Sequence, residues 1–327
     1  MLQRLSYLFL TLSIGVLAGC GGGGSDAPAG GGGRVFLSLG TAPPGGAFFV
    51  VGGALAEVLN AVPQESWSVT GEATSGSQEN IRRLATGELD FAVSNASITY
   101  FAARGTEGWD RAYPVRSVMT LAPNVTIFLT QANSGVRTIA DMKGRRVVIG
   151  PAGAGFEYFV RPLLAAHGVT YDDLTVLNAT QAASVDMLTD GSAAAVLIGG
   201  AVPTASITQA SASMDVYFIP FDESAVQQLV KQYVFFNPAV VPANTYRNQA
   251  TDYHGLDVGS MHLITSADQD EDLVYRVTKA LYENRAQVVQ RHAAGAAINP
   301  KNVVRDTGTE FHSGAVRYYR EIGIWPN

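Results

Sequence analysis

Twice along this chain a short apolar run passes through a glycine-rich turn directly into a helical run. Residues 40–59 read GTAPPGGAFFVVGGALAEVL. Glycine tolerates positive φ and lets a ligand approach the backbone closely. A helix N-terminus presents unpaired N–H groups and a positive partial charge. Together these suit an anion, and they equally serve a strand-to-helix turn that binds nothing. Residues 150–155 (GPAGAG) repeat the device between a strand-like run at 145–149 and a helical run through Ala166, stopped by Gly168. A third small-residue turn, 74–77 (TSGS), also enters a helix. There Ser77 and Asn80 form only a partial capping box, because Asn is shorter than Glu or Gln.

The rest of the chain keeps the alternation. Strand-like runs fall at 34–39, 67–73, 91–93, 125–130, 174–176 and 193–198. Helical spacing marks 52–60, 77–86, 181–189, 203–212, 271–290 and 315–322. This pattern predicts an α/β architecture with ligands at the carboxyl ends of strands. The three helix mouths can converge on one cleft between two lobes and hold a carboxylate with backbone N–H groups.

Residues 1–19 read as a secretory signal: Arg4 gives a basic start, and the apolar run 7–18 is too short to span a bilayer comfortably. The run ends in Leu17-Ala18-Gly19-Cys20, which resembles the bacterial lipobox and implies cleavage before Cys20 and lipidation of its thiol. Cys20 is the only cysteine, so no internal disulfide can form. Residues 20–33, the Cys and its Gly-rich run, form a flexible tether to a membrane. Stability must come from a large core, which 327 residues with 47% hydrophobic content supply, and the length suggests two domains. The net charge of −6 argues against a nucleic-acid partner but not against a small anion in a locally positive pocket.

No enzymatic or metal signature stands out. The turn at 150–155 is followed by Phe156-Glu157, not Lys-Ser/Thr, and Tyr158 stands where a dinucleotide fingerprint needs a third glycine. His167, His254, His262, His292 and His312 lack the close helical spacing of a zinc helix. Asp268, Asp270, Glu271 and Asp272 read as favourable charge at a helix N-terminus, without the spacing of a calcium loop. No catalytic residue, cofactor or metal is expected.

Taken together, five segments in order resemble the TAXI family of solute-binding proteins, the extracytoplasmic receptors of one class of TRAP (tripartite ATP-independent periplasmic) transporters. They are the opening stretch from Gly40, SGSQENIRRLATGELDFAV (75–93), DMKGRRVVIGPAGAGFE (141–157), DEDLVYRVTKALYEN (270–284) and HSGAVRYYREIG (312–323). The resemblance implies a type II periplasmic-binding-protein fold, with two α/β lobes joined by a hinge. The first lobe would span 34–124 and be completed by 241–327, and the second would fill 125–240. It implies capture of a small organic anion, and delivery to a separate TRAP membrane permease driven by an ion gradient.

The resemblance and the turns mark Gly45, Gly46, Ala47, Phe48, Phe49, Ser75, Gly76, Ser77, Asn95, Gly153, Gly155, Phe156, Gly199 and Gly200 as candidate ligand-binding residues. Arg161 is a candidate partner for a ligand carboxylate or for Glu157. Phe48-Phe49 replace a family Tyr-Tyr pair, Phe156 replaces a Thr, and Asn95 and Ser97 replace a Gln-x-Asp. These changes predict a more apolar ligand, unless the phenylalanines point into the lobe cores. Two other roles stay open: a sensory binding protein that presents its ligand to a receptor kinase, and an enzyme on the same scaffold.

Overall fold

The structure, a computed structural model, describes residues 34–326. The expected signal, Cys20 and the tether lie outside the described residues. The chain begins with β1 (Val35–Gly40), α1 (Ala47–Asn60), β2 (Trp67–Glu72), α2 (Ser77–Ala85), β3 (Phe91–Asn95), α3 (Ala96–Arg104) and β4 (Val115–Thr120). It continues through β5 (Val125–Gln131), β6 (Arg146–Gly150), α4 (Glu157–Ala166), β7 (Thr175–Asn178), α5 (Gln181–Thr189), β8 (Ala195–Gly200) and α6 (Ala205–Ser213). Next come β9 (Val216–Ile219), α7 (Glu223–Gln232), β10 (Asn237–Val241) and β11 (Tyr253–Asp257). β12 (Met261–Ser266), α8 (Glu271–Glu283), α9 (Arg285–Arg291) and α10 (Ser313–Glu321) follow. Among the described residues no helix is long and apolar enough to cross a membrane.

The strands form two sheets. The first has the order β2-β1-β3-β12-β4, with β12 antiparallel between β3 and β4. The second has the order β10-β11-β5-β8-β6-β7, and β9 pairs with β5. Strands such as β3 and β8 are buried along their whole length, so they read as continuous apolar or small-residue runs rather than alternating ones. Leu39, Leu55, Phe91, Leu263, Val277 and Tyr319 fill the core of the first lobe. Ile127, Val148, Leu188, Val196 and Ile207 belong to that of the second.

The chain passes between the sheets at 121–124 and again at 258–260. The return is later than the boundary read at 240, because β10 and β11 pair with each other and β11 pairs with β5 in the second sheet. Asp257 ties the two crossings together. Its Oδ1 accepts from Asn124 N (3.0 Å) and its Oδ2 from Ser260 Oγ (2.6 Å), with Arg305 Nη2 3.9 Å away. Burial pushes the Asp257 carboxyl above its usual range, opposed by the Ser260 and Asn124 hydrogen bonds and by Arg305.

The helix read over 271–290 breaks at Asn284, whose Nδ2 donates back to Ala280 O (2.9 Å). Such local side-chain bonds compete with the helical ladder.

An aromatic seam joins the lobes. Phe101 of α3 packs edge-on against Phe235 of the second lobe at 5.5 Å, and Trp109 stacks on Tyr158 of α4 at 5.3 Å. Phe101, Trp109, Tyr158 and Phe235 belong to one continuous buried cluster that also takes in Phe128 and Phe159.

Candidate ligand-binding site

A cavity of about 60 Å³ lies between the lobes. Gly46, Ala47, Phe48, Ser75, Gly76, Ser77 and Asn95 wall it from the first lobe, and Phe156 and Gly199 from the second. Asn124, Pro151, Ala154, Thr180 and Gln181 complete that side, with Ala42–Pro44 opposite. A larger groove of about 810 Å³ runs along β9 and β11, but it takes no wall from the first lobe. We therefore place the site at the smaller, two-lobed cavity.

Gly45, Phe49, Gly153, Gly155, Gly200 and Arg161 are not on the wall. Gly153 and Gly155 instead shape the turn into α4, with φ of 77° and 86°. A side chain on Gly155 would meet Ile98 at 3.2 Å. Arg161 is exposed, with its guanidinium over the Tyr171 ring at 4.1 Å. It reaches neither the cavity nor an ion pair with Glu157 among the described residues. Both phenylalanines on the wall also serve the cores. Phe48 packs on the first-lobe core, and Phe156 lies 5.2 Å from Phe159.

Three helices open onto this cavity without a side-chain cap: α1 after Gly46, α2 after Gly76 and α4 after Phe156. In contrast, Asn95 caps α3 and Thr180 caps α5. An uncapped helix leaves its first N–H groups without a partner. Three such ends facing one space contribute a positive field of backbone origin, partly offset at α2 and α4 by Glu79 and Glu157 in their first turns. Among the described residues no charged side chain lines the cavity, so this field is the main electrostatic attraction on offer there. α2 uses part of its capacity internally, because Glu79 Oε2 accepts from Ser75 N at 2.8 Å.

Asn95 uses its side-chain oxygen and one amide N–H within the protein. Its Oδ1 accepts from Ser97 N (2.9 Å) and its Nδ2 donates to Gly259 O (2.8 Å) in the return crossing. Its backbone N–H donates to Ser77 Oγ (3.0 Å), which leaves the Ser77 proton to point elsewhere. The Asn95 side chain thus connects the cavity to the hinge. Asn124 and Gln181, which the sequence reading missed, carry amide groups on the opposite wall.

The lobes meet closely around the cavity. A Cβ on Gly76, whose φ is 122°, would lie 3.3 Å from Ala154 Cα, and one on Gly200 would lie 3.5 Å from Ala47 Cβ. Gln78 Nε2 donates to Tyr158 Oη across the seam at 2.9 Å. The described conformation is a closed one.

A sequence profile described as NMT1-like family matches residues 39–323. The chain belongs to the NMT1-like family. This NMT1-like chain is similar in fold to a protein from Bordetella bronchiseptica RB50, with a TM-score of 0.55, 12% identity and 90% of each chain covered. It is also similar to a Xanthomonas citri protein bound to ATP, with a TM-score of 0.51, 8% identity, and 88% of this chain and 95% of that one covered. The periplasmic aliphatic sulphonate binding protein of Escherichia coli matches at 14% identity and a TM-score of 0.46, over 90% of this chain and 84% of that one. At these identities the likeness is one of fold. The NMT1-like chain shares the α/β fold of the Bordetella bronchiseptica and Xanthomonas citri proteins, here as two sheets linked by two crossings.

Proposed function

We propose that this protein is an extracytoplasmic receptor that captures a small organic anion by lobe closure and hands it unchanged to a TRAP-type permease. One observation carries the reading: three uncapped helix N-termini open onto a two-lobed cavity whose wall has no charged side chain. Backbone N–H groups at helix ends hold a carboxylate without an arginine or lysine. The two crossings provide a hinge for closure. The TRAP partnership is supported by the five ordered segments that resemble the TAXI receptors. The lipobox-like Leu17-Ala18-Gly19-Cys20 supports a lipid anchor on the outer side of a bacterial membrane.

The test is titration calorimetry against a broad panel of carboxylates, amino acids and aromatic acids, with solution scattering and mass spectrometry of the released solute. One solute per chain, a smaller radius of gyration on binding and an unaltered solute are expected. Turnover of the solute, or binding by no member of the panel, contradicts the receptor role. Uptake into proteoliposomes with the permease should collapse with an ionophore and persist without ATP.

A further inference from the structure

We propose that the captured solute is a short hydroxymonocarboxylate of the size of glycolate or lactate. This rests on the receptor reading above and deepens it. The first constraint is size. A cavity of about 60 Å³ has room for roughly four to six water-sized atoms. That fits an acid of two or three carbons and excludes aromatic acids unless the lobes stand further apart.

The second constraint is an orphaned acceptor. Gln181 Nε2 donates to Gly199 O at 2.7 Å, which fixes which way the amide points. Its Oε1 is buried and has no donor among the described residues. A carboxylate cannot satisfy it, since an ionised carboxylate only accepts. An occupant with an O–H or N–H of its own can supply the missing donor.

The third is Asn124. It is only 5% exposed, lies on the same wall, and its side-chain amide makes no hydrogen bond among the described residues. Gly199 lies between the two amides: a Cβ there would sit 3.1 Å from Asn124 Oδ1. The missing side chain leaves space beside Asn124 Oδ1, and both amides belong to residues that line the same small cavity. Asn124 both donates and accepts, so a hydroxyl beside the carboxylate matches the pair: it donates to one amide and accepts from the other.

Charge narrows the class further. The wall carries no lysine or arginine for a second carboxylate and no aspartate or glutamate for an ammonium group. Dicarboxylates and amino acids would each bury an unpaired charge, against a strong penalty. Phe48, Phe156 and Pro151 offer apolar contact to a short aliphatic stem.

The full-length chain, purified in detergent and freed of bound solute by unfolding and refolding, is titrated with matched acids: glycolate and acetate, lactate and propionate, and alanine and succinate. Lactate and glycolate should bind at least about tenfold more tightly than propionate and acetate, the range expected for one satisfied buried acceptor. Alanine and succinate should be weaker than lactate by at least as much. Gln181→Met should bring lactate to within about threefold of propionate, with the melting temperature checked in parallel. The wild-type comparisons stand whether or not the variant folds. Equal binding of lactate and propionate, or tighter binding of alanine, overturns this inference and leaves the receptor reading intact. If these acids fail and a larger acid from the broad panel binds, the size argument is overturned and the receptor reading again stands. If neither panel binds, the receptor reading itself falls.

Discussion

Trp109 of the first lobe lies flat on Tyr158 of the second, with ring centroids 5.3 Å apart and planes 15° from parallel. Tyr158 Oη also accepts from Gln78 Nε2 of the first lobe. Both contacts exist only while the lobes are together, so they stabilise the closed form. An aromatic pair adds about 0.5–1.5 kcal/mol beyond area burial, and a neutral hydrogen bond about as much.

Tyr158→Phe keeps the ring and removes the hydrogen bond. Solute affinity should fall by roughly twofold to tenfold, the equivalent of one such bond. Trp109 reports the change directly in a chain whose Trp67 and Trp325 are replaced by Phe. Without solute, the emission of Tyr158→Phe should lie to the red of the parent. Identical spectra and affinities would show that the seam does not govern closure.

Gly76 and Gly87 separate closure from backbone strain. Both have positive φ, 122° and 75°, but an added Cβ at Gly87 meets nothing within 4 Å. Gly87→Ala should cost about 1 kcal/mol of stability by urea unfolding and leave solute affinity unchanged. Gly76→Ala places a methyl against Ala154 across the cleft. It should weaken solute binding by about tenfold or more, as expected for a contact of 1–2 kcal/mol, and enlarge the radius of gyration. Equal affinities in the two variants would contradict the close approach of the lobes.

His262 makes the fold sensitive to acid. It is fully buried on β12, with Nε2 2.8 Å from Thr99 Oγ1 and no partner for Nδ1 among the described residues. Burial, reinforced by the Arg305 charge, pushes its pKa down from 6.5 to about 3. The unfolded chain therefore binds a proton that the folded chain refuses over this interval. The stabilisation is fully present above pH 6.5 and is lost as pH falls toward 3, at up to about 1.4 kcal/mol per pH unit. Asp257, with its pKa raised, acts in the opposite sense, but it is common to both proteins in a comparison with His262→Gln. Urea midpoints from pH 7 to 4 should fall less steeply in the variant; parallel curves would remove His262 as the cause.

Phe156→Thr restores the hydroxyl that the resemblance leads one to expect. The ring it removes packs on Phe159 and lines the cavity. Stability should fall by about 2–4 kcal/mol, as for other large-to-small changes in a core, while preference among bound acids moves toward more polar ones. Calorimetry with the same panel checks it; unchanged selectivity would show that the ring acts only in the core.

Much of this architecture can be read from local patterns. α5 matches its sequence reading at both ends, because Thr180 caps it and Gly191 follows it with φ of 75°. The small residues at 46–47 and 75–77 stand at turns legible in the sequence, whereas Gly199 lies within β8. α3 was invisible: its residues are buried on nearly every side, so no polar face remains to show helical periodicity. β12 was equally hidden, since its place between β3 and β4 is set by pairing with residues far away in sequence. Asn124 and Gln181 carry no local signal either; the order β5-β8-β6 brings them to one wall. Arg161 misled because its helix was right and its face was not.

The two crossings also bear on time. With the seam shut, a solute can leave only after the lobes part. Dwell time then depends on Asp257, Ser260 and Arg305 as well as on the seam; these three bind the crossings to each other and lie outside the cavity wall. On the receptor reading, a change at Ser260 or Arg305 alters how long a solute stays without removing a group from the cavity wall, whereas a change at Asp257 also frees the backbone of Asn124. In the proposed receptor role, the rate of release is set at the hinge, apart from the groups that choose the solute.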